Sequence, residues 1–282
     1  MTIRSAVSFE SSLLRGKQCR RLFGRHFHIT ATAKSGKEGA RSFVIGYGSI
    51  MCPYSRAITA KELAGTPGTP VLVQNTERVW SKKSIKGMTA MGVRRVEGAT
   101  CTGVLLPVTN QELLQFDERE AGYDRVKVPT SELEKVPFLD ESIYHSSLNY
   151  IFEAETGEEA SNDVWIYVPQ KLCLPTEEKP IAQTYLDTIL RGCLTISEEF
   201  AIEFISSTKG WSSLDFQKNN NGSDLRNRNP SDEIFWVDDR QDPIYGRADH
   251  EYIAKNAPNL DKLLELYRPK EFPFRKTSLI RQ

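Results

Sequence analysis

Ordered structure is expected to begin at Ser42-Phe43-Val44-Ile45, a short apolar run that reads as a buried strand. It ends in Gly46-Tyr47-Gly48-Ser49. A Gly/Pro-rich stretch over residues 65–70 then punctuates the chain before a second apolar run, Val71-Leu72-Val73. Residues 88–93 and 100–106, both bounded by glycine, predict two more strands. Thr109-Asn110-Gln111-Glu112 has the spacing of a capping box, in which the Thr hydroxyl and the Glu carboxylate satisfy orphan N–H groups. The helix it opens runs through Leu113, Leu114 and Phe116 to about Glu120, and Gly122 sits where a left-handed C-terminal residue belongs. Residues 123–128 then alternate like a strand.

A polar stretch occupies residues 130–162, and Val164-Trp165-Ile166-Tyr167-Val168 predicts another strand. Pro180 suits the first turn of a helix in which Ile181, Tyr185, Leu186, Ile189 and Leu190 keep helical spacing. A second helix follows, with Thr195-Ile196-Ser197-Glu198 as its capping box, and ends near Gly210. Residues 218–232 are poor in apolar side chains and read as a mobile loop. Residues 259–267 form a last short helix, and no internal repeat is present. Strands come mostly before helices, without regular βαβ alternation, so the expected class is α+β with a curled mixed sheet.

Composition narrows the setting. With 282 residues, 39% of them hydrophobic, and a mean hydropathy of −0.44, the chain reads as a soluble globular protein able to bury an ample core. No run approaches the roughly 18 apolar residues of a membrane span, so no membrane association is expected. Five scattered cysteines, odd in number and without a CxxC pair, argue against a disulfide framework and a zinc ribbon. Lys+Arg and Asp+Glu both number 37, so the net charge is zero, which argues against a nucleic-acid binder that works by bulk electrostatics.

That zero conceals an asymmetry. Residues 1–40 hold eight basic and two acidic side chains, a charge of +6, which leaves −6 for residues 41–282. Arg-rich, Ser-rich and acid-poor is the composition of an organellar transit peptide, with Leu13, Leu14, Leu22 and Phe23 forming an apolar strip among arginines. Arg25-His26-Phe27 followed by small residues leans towards the mitochondrion rather than the plastid. The alternative is a basic tail that stays on a cytoplasmic protein. Residues 1–41 are therefore read as a leader, and 42–282 as one catalytic domain with a helical C-terminal extension from about residue 175.

Several kinds of chemistry find no equipment here. The segment 46–51 lacks the third glycine of a dinucleotide fingerprint, and there is no P-loop and no GxSxG elbow. Outside the leader only His145 and His250 remain, in unrelated contexts, which supplies metal sites and histidine triads poorly. No metal or cofactor is expected. Two segments stand out instead. In the turn Gly46-Tyr47-Gly48-Ser49-Ile50, successive N–H groups can face one concavity and bind an anion such as a carboxylate, and Gly48 offers no Cβ in the way. The other reading is a plain tight turn. In Phe116-Asp117-Glu118-Arg119-Glu120, charge crowds the end of a helix, where the macrodipole disfavours a carboxylate at Glu120. Either this is a solvated charged turn, or Glu120 has a raised proton affinity suited to general acid–base work.

Taken together, a strand ending in Tyr47-Gly48-Ser49-Ile50 and, some 70 residues on, Asp117-Glu118-Arg119-Glu120 before Gly122-Tyr123-Asp124-Arg125 resembles the γ-glutamyl cyclotransferase superfamily, which includes ChaC-type glutathione-specific enzymes. The resemblance covers about residues 42–130. It implies a small mixed β-barrel flanked by helices, with Glu120 as the essential base. It also implies that Tyr47, Gly48, Ser49 and Ile50 hold the α-carboxylate and α-amino end of a small γ-glutamyl substrate. Tyr123 either orients that group or packs at the strand start. Ile50 stands where many relatives have Asn, and the C-terminal region exceeds the minimal fold, so the substrate partner stays open. The expected activity is 5-oxoproline release from γ-glutamyl peptides or glutathione. A γ-glutamylamine cyclotransferase, an inactive cyclotransferase-like binding protein and a Ser49-centred hydrolase are the alternatives. Cys52 reads as a buried thiol rather than a nucleophile, Trp80 and Arg78 as core residues more than pocket lining, and Asp238-Asp239-Arg240 as an ion-paired loop.

Overall fold

The computed structural model describes residues 42–61, 68–144, 163–216 and 233–277. The leader (1–41) and the predicted loop at 218–232 lie outside the described residues. The first strand, β1 (Ser42–Gly46), is buried along its whole length, as a continuous apolar run between two partners should be. A 3-10 turn at Ser49–Met51 and the short helix α1 (Pro53–Ala57) follow. Strand β2 (Thr69–Lys83) and strand β3 (Thr89–Val108) form a long antiparallel hairpin. Next come α2 (Asn110–Arg119), β4 (Tyr123–Lys127), the short β5 (Leu133–Glu134) and β6 (Asp163–Pro169).

These six strands form one mixed sheet in the order β4-β6-β1-β3-β2-β5. Strand β1 runs antiparallel to β3 and parallel to β6. The sheet curls into a half-barrel flanked by helices, the α+β architecture that the sequence implies.

The two strands expected at 88–93 and 100–106 are one. The polar stretch between them continues the ladder, with Arg94 opposite Glu77 and joined to it by an ion pair of 2.6 Å. A bulge opens opposite Asn75, where Gly98 takes φ +73° and donates its N–H to the Asn75 side chain at 3.1 Å. The backbone ladder holds this arm together, so apolar alternation is not needed there.

The region after residue 175 is helical, as expected, but also carries a small sheet. Strand β7 (Ile181–Ala182) leads into α3 (Gln183–Leu194), α4 (Glu198–Ser207), β8 (Trp236–Asp238), α5 (His250–Tyr267) and β9 (Lys276–Thr277). Strands β7, β8 and β9 pair in parallel. Ile181 therefore belongs to a strand, and α3 starts at Gln183, three residues beyond Pro180. Helix α4 is capped by Ser197, whose hydroxyl accepts the Phe200 N–H, rather than by Thr195. Thr195 ends α3 instead. Helix α5 is twice its expected length and carries Pro258 inside it.

Arg78 and Trp80 are fully buried. Arg78 donates to Thr102 O, to Thr208 Oγ1 and to Ser207 Oγ at 2.5, 2.9 and 2.9 Å, tying the sheet to α4. Trp80 packs edge-on against Tyr185 and Trp211. The loop after β8 is ion-paired: Arg240 holds Asp187 at 2.7 Å and Asp261 at 2.8 Å.

Helix α3 lies directly on the 3-10 turn. A Cβ at Gly192 would stand 2.6 Å from Cys52 N and 2.7 Å from the Met51 carbonyl carbon. Helix propensity alone would reward Gly192→Ala by about 1 kcal/mol. Backbone atoms cannot yield as side chains do, so the clash decides the sign. Gly192→Ala should lose roughly 1–3 kcal/mol, read as a lower urea midpoint at unchanged slope.

Candidate active site

The 47–50 turn is held from beneath. After β1, Gly48 leads into the 3-10 turn, whose first N–H groups have no acceptor within it. Arg56, fully buried on α1, donates from Nη1 to Ile50 O at 3.0 Å and to Met51 O at 3.3 Å. Burial lowers its pKa to about 10, so it remains a cation at neutral pH. Ile50 itself is 7% exposed and packs into the core, so it can offer a substrate only its backbone. Tyr47 donates its phenol hydrogen to Tyr167 O.

Glu120 comes to the same place from the other motif. The capping box forms as expected: the Glu112 N–H reaches Thr109 Oγ1, and the Glu112 carboxylate takes the Thr109 N–H at 2.7 Å. Helix α2 then ends with Glu120 as its last half-helical residue, and Gly122 turns the chain with φ +84°, a conformation a Cβ would strain. A Cβ there would also strike the Lys82 side chain, 2.3 Å from Nζ.

Arg119 joins the two segments. Its Nε donates to Glu120 Oε1 at 3.1 Å and its Nη2 to Ser49 Oγ at 3.1 Å. The remaining guanidinium hydrogens reach Ser55 O, Ser55 Oγ and Thr59 Oγ1 at 3.1, 3.2 and 2.8 Å. In the sequence Arg119 is one charge among several at the end of a helix. Its neighbour Glu120 on one side and the distant Ser49 on the other make it the link instead.

Phenols surround the carboxylate. Tyr123 donates to Met91 O at 2.7 Å, and the hydroxyl of Tyr185, on α3, accepts the Met91 N–H at 3.3 Å. Burial raises the pKa of Tyr47, Tyr123 and Tyr185, and the negative charge of Glu120 adds to each. All three therefore stay protonated and can only donate or accept hydrogen bonds near neutral pH. Glu120 retains 16% of its side-chain exposure. Burial raises its pKa, while Arg119, Arg247 and Lys82 hold it back.

The structure thus brings Tyr47, Gly48, Ser49, Glu120 and Tyr123 together, and adds Arg119, Tyr185 and Arg56, which the sequence did not single out as site residues. The signal for Tyr185 was present only as helical spacing, which marks a core position without revealing where its hydroxyl ends. Cys52 is buried, and burial pushes its thiol pKa up, away from nucleophile range. Among the described residues no cluster of three or more His, Cys, Asp or Glu side chains could hold a metal, and no helix is long and apolar enough to cross a membrane. A separate cleft of about 440 Å³, lined in part by Lys86, Glu177, Asp242 and Lys276, contains none of the site residues.

No protein-family model and no curated protein matches the chain. Among solved structures it is similar to a protein named Gamma-glutamyl cyclotransferase, at 12% identity and TM-score 0.40, over 66% of this chain and 93% of that one. It is also similar to a glutathione-specific γ-glutamyl cyclotransferase from yeast, at 11% identity and TM-score 0.33, over 58% of this chain and 84% of that one. An uncharacterized protein from Homo sapiens aligns at 13% identity and TM-score 0.39, over 57% and 85%. The similarity says nothing of substrate or activity.

Proposed function

We propose that the chain is a γ-glutamyl cyclotransferase that releases 5-oxoproline from γ-glutamyl peptides such as glutathione. The observation that supports this reading is the coupling of Glu120 to the 47–50 turn through Arg119, which sets a largely desolvated carboxylate beside that turn.

A γ-glutamyl amide carries its own nucleophile. The α-nitrogen attacks the γ-carbonyl carbon, a five-membered lactam closes, and the bond to the departing amine breaks. The 47–50 turn would hold the α-carboxylate through backbone N–H groups and fold the substrate so that nitrogen and carbonyl meet. Holding two groups in such a geometry can remove roughly 7–11 kcal/mol from the barrier of the unassembled reaction. Glu120 would take a proton from the α-ammonium and return one to the leaving nitrogen, so one carboxylate with raised proton affinity serves both steps. Arg119 fixes the direction of that carboxylate. Tyr47 and Tyr123 spend their hydrogens on Tyr167 O and Met91 O, so it is the Tyr185 hydroxyl, an acceptor from the Met91 N–H, that can donate to the carbonyl oxygen as charge develops on it.

Incubating the purified chain with glutathione, γ-glutamyl-alanine and a γ-glutamylamine, and quantifying 5-oxoproline, tests the proposal directly. Release from at least one substrate is expected. Its absence from all three favours an inactive binding protein of the same fold, whereas an acyl-enzyme trapped on Ser49 and seen by mass spectrometry favours a hydrolase. The +6 leader belongs to the same proposal as an import signal, with the mitochondrion favoured, and fusing residues 1–41 to a fluorescent reporter would show whether it directs import.

A further inference from the structure

The C-terminal segment gives the Glu120 site a charge as well as packing. The loop between β8 and α5 is seated on the first turn of α3 by Asp239, which accepts the Thr184 N–H and hydroxyl at 2.8 and 2.6 Å and the Ile244 N–H at 2.8 Å. Further along this loop, the Tyr245 ring stands edge-on to Tyr185 with centroids 4.8 Å apart. The Tyr245 hydroxyl is hydrogen-bonded to Ser55 Oγ at 2.9 Å, and the same Ser55 oxygen takes a hydrogen from Arg119. Two residues on lies Arg247, half-buried, with its charge felt at Glu120.

Three cations act on the Glu120 carboxylate, and they are not equivalent. Arg119 is committed to the scaffold through Glu120, Ser49, Ser55 and Thr59. The Lys82 ammonium lies over the Tyr123 ring, 5.2 Å from its centroid. Arg247 makes no hydrogen bond and no ion pair with any described residue. A half-buried guanidinium is costly to leave unpaired, and its planar fork matches a carboxylate.

We infer that Arg247 is the receptor for a carboxylate on the departing half of the substrate, and that it selects γ-glutamyl amino acids and peptides over γ-glutamylamines. The inference rests on the cyclotransferase reading above: with the substrate's α-carboxylate assigned to the 47–50 turn, Arg247 is the cation left for a second one. It is a specificity-determining residue, supplied by the segment that exceeds the minimal fold.

The test compares γ-glutamyl-alanine with γ-glutamyl-ethylamide, the same molecule without the alanyl carboxylate. The full chain should favour the former in kcat/KM by about 10- to 100-fold, the range of a hydrogen-bonded charge pair. In Arg247→Ala that ratio collapses to near one, and Arg247→Lys keeps part of it. A ratio near one in the parent, or an unchanged ratio in Arg247→Ala, overturns the inference. Calorimetric binding of both compounds to Glu120→Gln, with and without Arg247→Ala, separates this claim from the reaction itself. A binding preference that disappears with Arg247, while the parent chain forms no 5-oxoproline from either compound, sinks the cyclotransferase reading and keeps the carboxylate receptor. Equal binding of the two compounds sinks the receptor, whatever the turnover.

Discussion

Glu120→Gln is expected to release 5-oxoproline about 10²–10⁴-fold more slowly than the parent, the usual contribution of a positioned general acid–base group. The amide has the shape of the carboxylate and keeps an oxygen to accept from Arg119 Nε, so the link to Ser49 survives. What it loses is the proton-accepting group. Stability should not fall. Burial raises the Glu120 pKa in the folded chain above its unfolded value, so ionising it opposes folding, and that cost appears as pH rises through the unfolded value towards the folded one. A neutral side chain avoids the cost at pH 7, and thermal unfolding of the variant should match or exceed the parent's. The same shift sets the pH profile. Parent kcat/KM should rise with pH along an acid limb centred above the ordinary carboxylate value, and the variant's residual rate should lack that limb. Near-parent turnover in Glu120→Gln would remove Glu120 from the mechanism.

Gly48→Val is expected to cost more than Ser49→Ala, although serine is the more reactive side chain. A Cβ at position 48 would lie 3.2 Å from both the Met91 Cβ and the Tyr185 hydroxyl. Two further methyl groups must displace one of them. Met91 receives Tyr123 and donates to Tyr185, so either movement disturbs both phenols around Glu120. Overpacking of this kind costs about 1–3 kcal/mol of stability. A shift near 1 Å in the assembled geometry lowers turnover by about 10²-fold. Ser49→Ala removes one of the Arg119 acceptors and leaves those from Glu120, Ser55 and Thr59, so a loss of about tenfold or less is expected. Comparable losses from the two variants would mean that the Ser49 hydroxyl, rather than the turn, acts on the substrate.

Where the sequence and the structure part, the causes are local. The capping box at Thr109 and Glu112 needs only four residues and forms as written. Thr195 and Ser197 both precede Glu198 at plausible spacings, and only the end of α3, which consumes Thr195, selects Ser197. Pro258 looks like a helix start because proline favours a first turn, but α5 passes through it, with Leu260, Leu263 and Leu264 buried beyond it and Ile253 before it. Strand β3 shows no alternation through its charged middle because pairing with β2, not burial, holds that stretch.

The sequence by itself determined the α+β class, the buried first strand, the capped helix that ends at Glu120, and the two motifs worth bringing together. Those are properties of short segments, where periodicity, capping and glycine conformation act within a few residues. Only the tertiary structure decided that Arg119 spans from Glu120 to Ser49, that Arg56 holds the turn from below, and that Tyr185 and Arg247 come to the site from beyond residue 175. Hydrogen bonds and charges act through space between side chains up to 190 positions apart, and no local pattern in a single chain records which of them will meet.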